Sequence, residues 1–160
     1  MTLRNLGKYS LTLLIAAALN STVFAAGTSE DEVTEEKIDW KTYVLTELDS
    51  KYYQNAFKRL LEEETDNADT SADWNNLMGY TMRMLDMPDL EAAEYHYIKA
   101  VELKADHKGA LEYYGELKLK QDDLAGAKKL LTRLTEVCPG SCEELETLTK
   151  SIKAYEAKQK

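Results

Sequence analysis

Apolar residues recur at steps of three and four along four stretches of the chain. Tyr53, Ala56 and Leu60 form one stripe. Leu90, Ala93, Tyr97 and Ala100 form a second, Leu124, Ala127, Leu131 and Leu134 a third, and Leu145, Leu148, Ile152 and Tyr155 a fourth. Such spacing gathers apolar side chains on one face of an α-helix. The breaks near 49–50, 66–71, 86–89, 105–108, 121–123 and 139–141 are rich in Asp, Asn, Ser and Pro. These residues cap helix starts or turn the chain. The pattern predicts helices over 39–48, 51–64, 72–85, 89–104, 108–121, 124–136 and 142–157, with Ser141 and Glu144 as a capping box for the last.

The second and third stripes superpose at a fixed offset of 34 residues: Leu90 on Leu124, Ala93 on Ala127, Tyr97 on Leu131, Ala100 on Leu134, Leu103 on Val137. Trp40 and Trp74 share that offset. One helix pair cannot hide its apolar face alone, whereas stacked pairs share a continuous core. A period of 34 across helix pairs is the mark of tetratricopeptide repeats, and the chain resembles that family. Met78-Gly79 and Tyr114-Gly115 stand where the family's first helix has Leu-Gly. Ala93, Tyr97 and Ala100, then Ala127, Leu131, Leu134 and Pro139, follow the pattern of its second helix. The departures are Lys118 in place of Tyr, Ala105 in place of Pro, Trp74 one place off, and a turn at 86–89 about two residues longer than usual. The first repeat, with Trp40, Tyr53, Ala56 and Leu60, lacks the Gly.

The resemblance covers residues 38–139. It implies an all-α, right-handed TPR-like solenoid of about three helix pairs, with residues 140–160 as a C-terminal capping helix. It also implies that first helices line a concave groove whose non-core positions touch a protein or peptide partner. Helical spacing places Asn76, Tyr80 and Arg83 on one such face and Glu112, Glu116 and Lys120 on the next. Tyr and Arg, if exposed there, are good interface anchors. The acidic pair in the second group argues against a free C-terminal carboxylate as ligand. Residues 109–117 and 138–144 further resemble small exported repeat proteins of Gram-negative bacteria. That likeness implies a periplasmic interaction protein, with an assembly or accessory role in the envelope as an extension.

The N-terminal stretch has its own character. Arg4 and Lys8 precede a short apolar run over 11–19, and Val23-Phe24-Ala25 offers a small-residue cleavage point before Ala26. This is the layout of a secretory signal peptide over 1–25. The run is too short to span a bilayer, and no later segment is apolar enough. Residues 26–37 are acidic and read as a disordered linker. Loss of Arg4 and Lys8 would take the net charge from −9 to −11. Such a surface does not suit nucleic acid, whose phosphates need clustered Lys and Arg.

Little in the chain promises chemistry. No Gly-x-Ser-x-Gly, phosphate-binding loop or zinc-protease helix occurs, so no enzyme and no cofactor is expected. Cys138 and Cys142, the only cysteines, flank Pro139-Gly140-Ser141. In an oxidising compartment they read as a disulfide that locks the last helix onto the stack. Thiol redox exchange remains a rival, as does copper binding with Met78, Met82, Met84 and Met87. Core packing is the simpler role for Met78 and Met82, with Met87 filling the long turn. His96 and His107 show no ligand spacing. Self-association of the stack is a third reading.

Overall fold

The computed structural model describes residues 38–159. The expectations for a signal peptide over 1–25 and a linker over 26–37 lie outside the described residues. Helices α1 (Trp40–Asp49), α2 (Tyr53–Glu62), α3 (Glu64–Asn67), α4 (Ala72–Met84), α5 (Leu90–Leu103), α6 (Lys108–Lys120), α7 (Leu124–Val137) and α8 (Glu143–Lys158) follow in order. No strand occurs among the described residues. Three pairs pack as hairpins, α1 on α2, α4 on α5 and α6 on α7, and α8 closes the stack against α6 and α7. None of these helices is long and apolar enough to cross a membrane.

Side-chain caps set most of the starts. Asp39, Ser71, Asp89 and Asp123 accept from backbone N–H groups in the first turns of α1, α4, α5 and α7. His107 does the same for α6 with Nδ1, which accepts from Ala110 N at 3.1 Å. The proposed Ser141–Glu144 box does not form. The Cys138–Cys142 disulfide ties Cys142 into the N-cap position. Ser141 is thereby one residue too early to cap, and its hydroxyl donates to Glu146 instead. The long helix foreseen over 51–64 also breaks. Lys51 takes a left-handed conformation (φ 63°), so α2 starts only at Tyr53, and the separate turn of α3 occupies part of the foreseen loop.

Three apolar clusters run along the stack. Val44, Ala56, Leu60, Trp74, Leu77 and Met78 make the first. Ala93, Tyr97 and Leu117 make the second. The third joins Leu111, Leu130, Leu134 and Cys138 to Leu148 and Ile152 of α8. Trp74 is fully buried and its indole N–H donates to Leu60 O at 3.0 Å, joining α4 to α2. Its counterpart Trp40 is only half-buried against the same cluster. The 34-residue offset holds for α5 and α7 at Ala93/Ala127 and Ala100/Leu134, all fully buried. At Tyr97 the partner Leu131 is half-buried, and Leu130 turns inward beside it.

The first helices of the two pairs match at 36 rather than 34, because the 85–89 turn is longer. Gly79 and Gly115 are the equivalent positions, and both exist for close approach. A Cβ on Gly79 would sit 3.0 Å from the carbonyl oxygen of Ala93, inside its own pair. A Cβ on Gly115 would sit 2.6 Å from Cδ2 of Leu148. Helix α8 therefore approaches α6 as closely as α5 approaches α4.

Candidate functional site

Helices α1, α4, α6 and α8 share one side of the stack, and a cleft of about 290 Å³ opens between them. Leu45 of α1, Asn76 and Leu77 of α4, Glu112 and Tyr113 of α6, and Glu144 at the start of α8 contribute walls. A second hollow of about 330 Å³ continues from it past Leu48, Tyr53 and Tyr80. The two share Leu45, Leu77 and Tyr113, so they form one groove with a polar end and a more apolar end edged by Asp49 and Lys51.

The six residues foreseen on the concave face all belong to α4 and α6, but they do not play one role. Asn76 is 6% exposed and Glu112 8% exposed, both at the polar end. Tyr80 is half-buried, its ring tilted against Tyr113 with centroids 4.7 Å apart. Arg83 is not the exposed anchor that the sequence suggested. Its side chain is 8% exposed and donates from Nη1 to Glu116 Oε2 at 3.0 Å. Its guanidinium lies over the rings of Tyr80 and Tyr113, at 5.4 and 5.7 Å. Such a cation, wrapped by π-faces and paired with a carboxylate, holds α4 to α6. Lys120 is exposed and reaches back to Arg83 O at 3.4 Å.

Burial dominates the electrostatics of the polar end. The Glu112 carboxyl is pushed up to about 7, first by burial and then by the charges of Glu116 and Glu144. Burial likewise raises the Tyr113 hydroxyl to about 12, with the neighbouring Glu112 charge adding to it. Among the described residues no side chain donates to the Glu112 carboxylate, which opens onto the cleft. The Oδ1 of Asn76 is buried without a partner as well. At the rim, Lys41 Nζ donates to Asp73 Oδ2 at 2.5 Å, and His107 Nε2 lies 2.9 Å from Asp73 Oδ1. Because His107 Nδ1 accepts from Ala110, Nε2 is the protonated nitrogen and donates to Asp73. The hydrogen bond from Lys41, followed by that from His107, holds the Asp73 carboxyl below its ordinary range.

Sequence reasoning missed Leu45, Tyr113, Glu143 and Glu144 as groove residues. Leu45 is 46% exposed although apolar. Tyr113 shares a helical stripe with Gly109, Glu116 and Lys120, a signal present in the spacing. The α8 residues carried no signal, because only packing shows that α8 completes the groove.

The features that suggested metal or thiol chemistry are separated. Met78 is buried in the first apolar cluster and Met82 packs beside it, while Cys138 belongs to the third. Met87, expected to fill the long turn, is 88% exposed. Cys138, Cys142 and Glu144 approach one another, but both sulfurs are spent in the disulfide, with Cα atoms 5.9 Å apart. His96 sits edge-on to Trp74 at 5.5 Å and 3.0 Å from Asn75 Oδ1, and burial lowers its basicity. It is a half-buried, hydrogen-bonded histidine packed on Trp74.

The chain matches no protein-family model and no curated protein. It does match solved structures. The type III secretion chaperone SycD of Yersinia enterocolitica, crystallised in complex with a peptide of the translocator YopD, superposes with a TM-score of 0.62 at 16% identity. That match covers 76% of this chain and 92% of SycD. A second structure of the same translocator chaperone gives 0.63 at 14% identity, over 75% and 83% of the two chains. The first TPR domain of human RPAP3 gives 0.59 at 17% identity, over 74% and 93%. At these identities the likeness is one of fold, and the fold is a TPR-like helical repeat.

Proposed function

We propose that this protein is a scaffold that binds an extended segment of another protein in the groove between α1, α4, α6 and α8, without catalytic chemistry of its own. The observation that carries this reading is the groove itself. A hollow with Leu45 and the Tyr80–Tyr113 ring pair in its wall runs into a polar pocket where Asn76 Oδ1 is buried without a partner and no side chain donates to Glu112. Exposed apolar surface beside unsatisfied polar groups is what a partner would cover. The fold supports the reading by analogy, since SycD, which shares it, was crystallised with a peptide. The extension to a periplasmic envelope accessory rests on the signal-like N-terminus and on a disulfide suited to an oxidising compartment.

A photo-crosslinking side chain at Leu45 or Tyr113 should capture a discrete partner from the envelope. The same group at Tyr95, exposed on α5 away from the groove, should not. Equal capture from all three positions would refute the groove as the binding face.

A further inference from the structure

The polar end of the groove is built almost entirely of acceptors. Glu112 is more than nine-tenths buried, and its carboxylate receives no donor from the described residues. Asn76 is equally buried beside it, with Oδ1 lacking a partner. Glu143 and Glu144 face the same pocket from the first turn of α8. A buried acceptor without a donor is costly, and a buried charge without a counter-charge more so. Arg83 offsets part of the charge on Glu112, but neither nearby cation donates to it. Lys41 is paired with Asp73 at the rim, and Arg83 is held by Glu116. What Glu112 and Asn76 Oδ1 lack is a donor of their own.

The adjoining hollow narrows the chemistry further. Leu45, Leu77 and Tyr113 belong to both hollows, so a ligand in the pocket continues onto the surface of Leu48, Tyr53 and Tyr80, with Asp49 and Lys51 at its edge. A bare metal ion would leave that surface uncovered. A peptide with a long cationic side chain next to an apolar one covers both ends.

Building on the peptide-binding reading above, we infer that the groove selects a basic residue, lysine or arginine, next to an apolar residue in its partner. The ammonium or guanidinium donates to Glu112 and Asn76 Oδ1 with Glu143 and Glu144 close by, and the apolar neighbour lies between Leu45, Leu77 and Tyr113.

Selection from a library of random N-acetylated heptapeptides on the full exported chain tests this. Bound sequences are expected to be enriched in Lys or Arg next to Leu, Ile, Phe or Tyr. Individual peptides should bind Glu112→Gln at least about tenfold more weakly, the worth of a hydrogen-bonded charge pair. A thermal melt of Glu112→Gln checks its fold. Glu144→Gln, at the start of α8 and outside the core, gives a second variant with a smaller loss in the same direction. Peptides without basic enrichment, or with equal affinity for both Gln variants, overturn the inference and leave the groove reading standing. Peptides that bind Leu45→Ser and Tyr113→Ala as well as wild type overturn the groove reading itself. A selection that yields no binder overturns both.

Discussion

Arg83 of α4 and Glu116 of α6 meet at 3.0 Å, and the other oxygen of Glu116 accepts from Ser151 Oγ of α8 at 3.1 Å. One carboxylate thus ties together the three helices that form most of the groove. The pair is largely desolvated, so removing one member strands the other. Arg83→Met keeps some packing but removes the charge and should cost about 2–4 kcal/mol. Adding Glu116→Gln should recover part of that loss. Urea unfolding of the two single mutants and the double mutant measures the coupling. Additive losses would mean that the pair does not act as a unit.

Gly115 sets how closely α8 approaches. In an ordinary helix interior, Gly→Ala is stabilising by roughly 1 kcal/mol. Here the new methyl would lie 2.6 Å from Cδ2 of Leu148, which is fully buried. Gly115→Ala should instead destabilise by about 1–3 kcal/mol. Leu148→Ala should cost less in the Gly115→Ala background than in wild type, since each change makes room for the other. Thermal melts of the cycle decide the matter. A stabilised Gly115→Ala would show that α8 is not seated as described.

Glu112 makes stability depend on pH in a definite direction. Its carboxyl titrates at about 7 in the fold against 4.5 when exposed. Below the lower value both states hold the proton and nothing is lost. Between the two, the fold keeps a proton that the unfolded chain has released, so stability falls as pH rises, and the full penalty is in place above 7. The groups that face this carboxyl are Arg83 from α4, Glu116 on its own helix, and Glu143 and Glu144 from α8. Lys41, Asp73 and Tyr113 share the pocket wall. Glu112→Gln should match wild type near pH 4 and be more stable at pH 8, on the order of 1–3 kcal/mol. Equal melting of the two at pH 8 would contradict the buried, unpartnered carboxyl. Binding of a basic peptide should strengthen over the same window, because the cation needs the ionised form.

The export reading and the disulfide share one measurement. Protein recovered from the envelope should begin at Ala26 and weigh two hydrogens less than its fully reduced form. Alkylation should find no free thiol on Cys138 or Cys142. Because the bridge closes a very short loop, Cys138→Ser with Cys142→Ser should cost only about 2 kcal/mol. Free thiols, or an N-terminus that still carries the first 25 residues, would contradict this reading.

Much of the architecture was legible because stacked helix pairs repeat their burial pattern locally. The stripes at 90–100 and 124–134 placed α5 and α7, and the extra turn length near Pro88 foretold the shift of register between Gly79 and Gly115. The groove was less legible, because local spacing cannot tell a solvated face from one covered by a neighbouring helix. Arg83 and Glu112 looked exposed in a helical projection, yet α6 covers the first, and the second lies deep in a pocket that α1 and α8 help to wall. The Ser141–Glu144 cap failed because α8 starts one residue later, with the disulfide-bonded Cys142 at the N-cap. What the pattern could not contain was tertiary contact.

The most direct test of the central claim is the pattern of backbone amide shifts in isotope-labelled protein titrated with a selected basic–apolar peptide. Saturable shifts are expected at Leu45, Asn76, Leu77, Glu112, Tyr113 and Glu144, with Tyr95 and Ile98 on α5 unmoved. Shifts centred on α5 and α7 would contradict it.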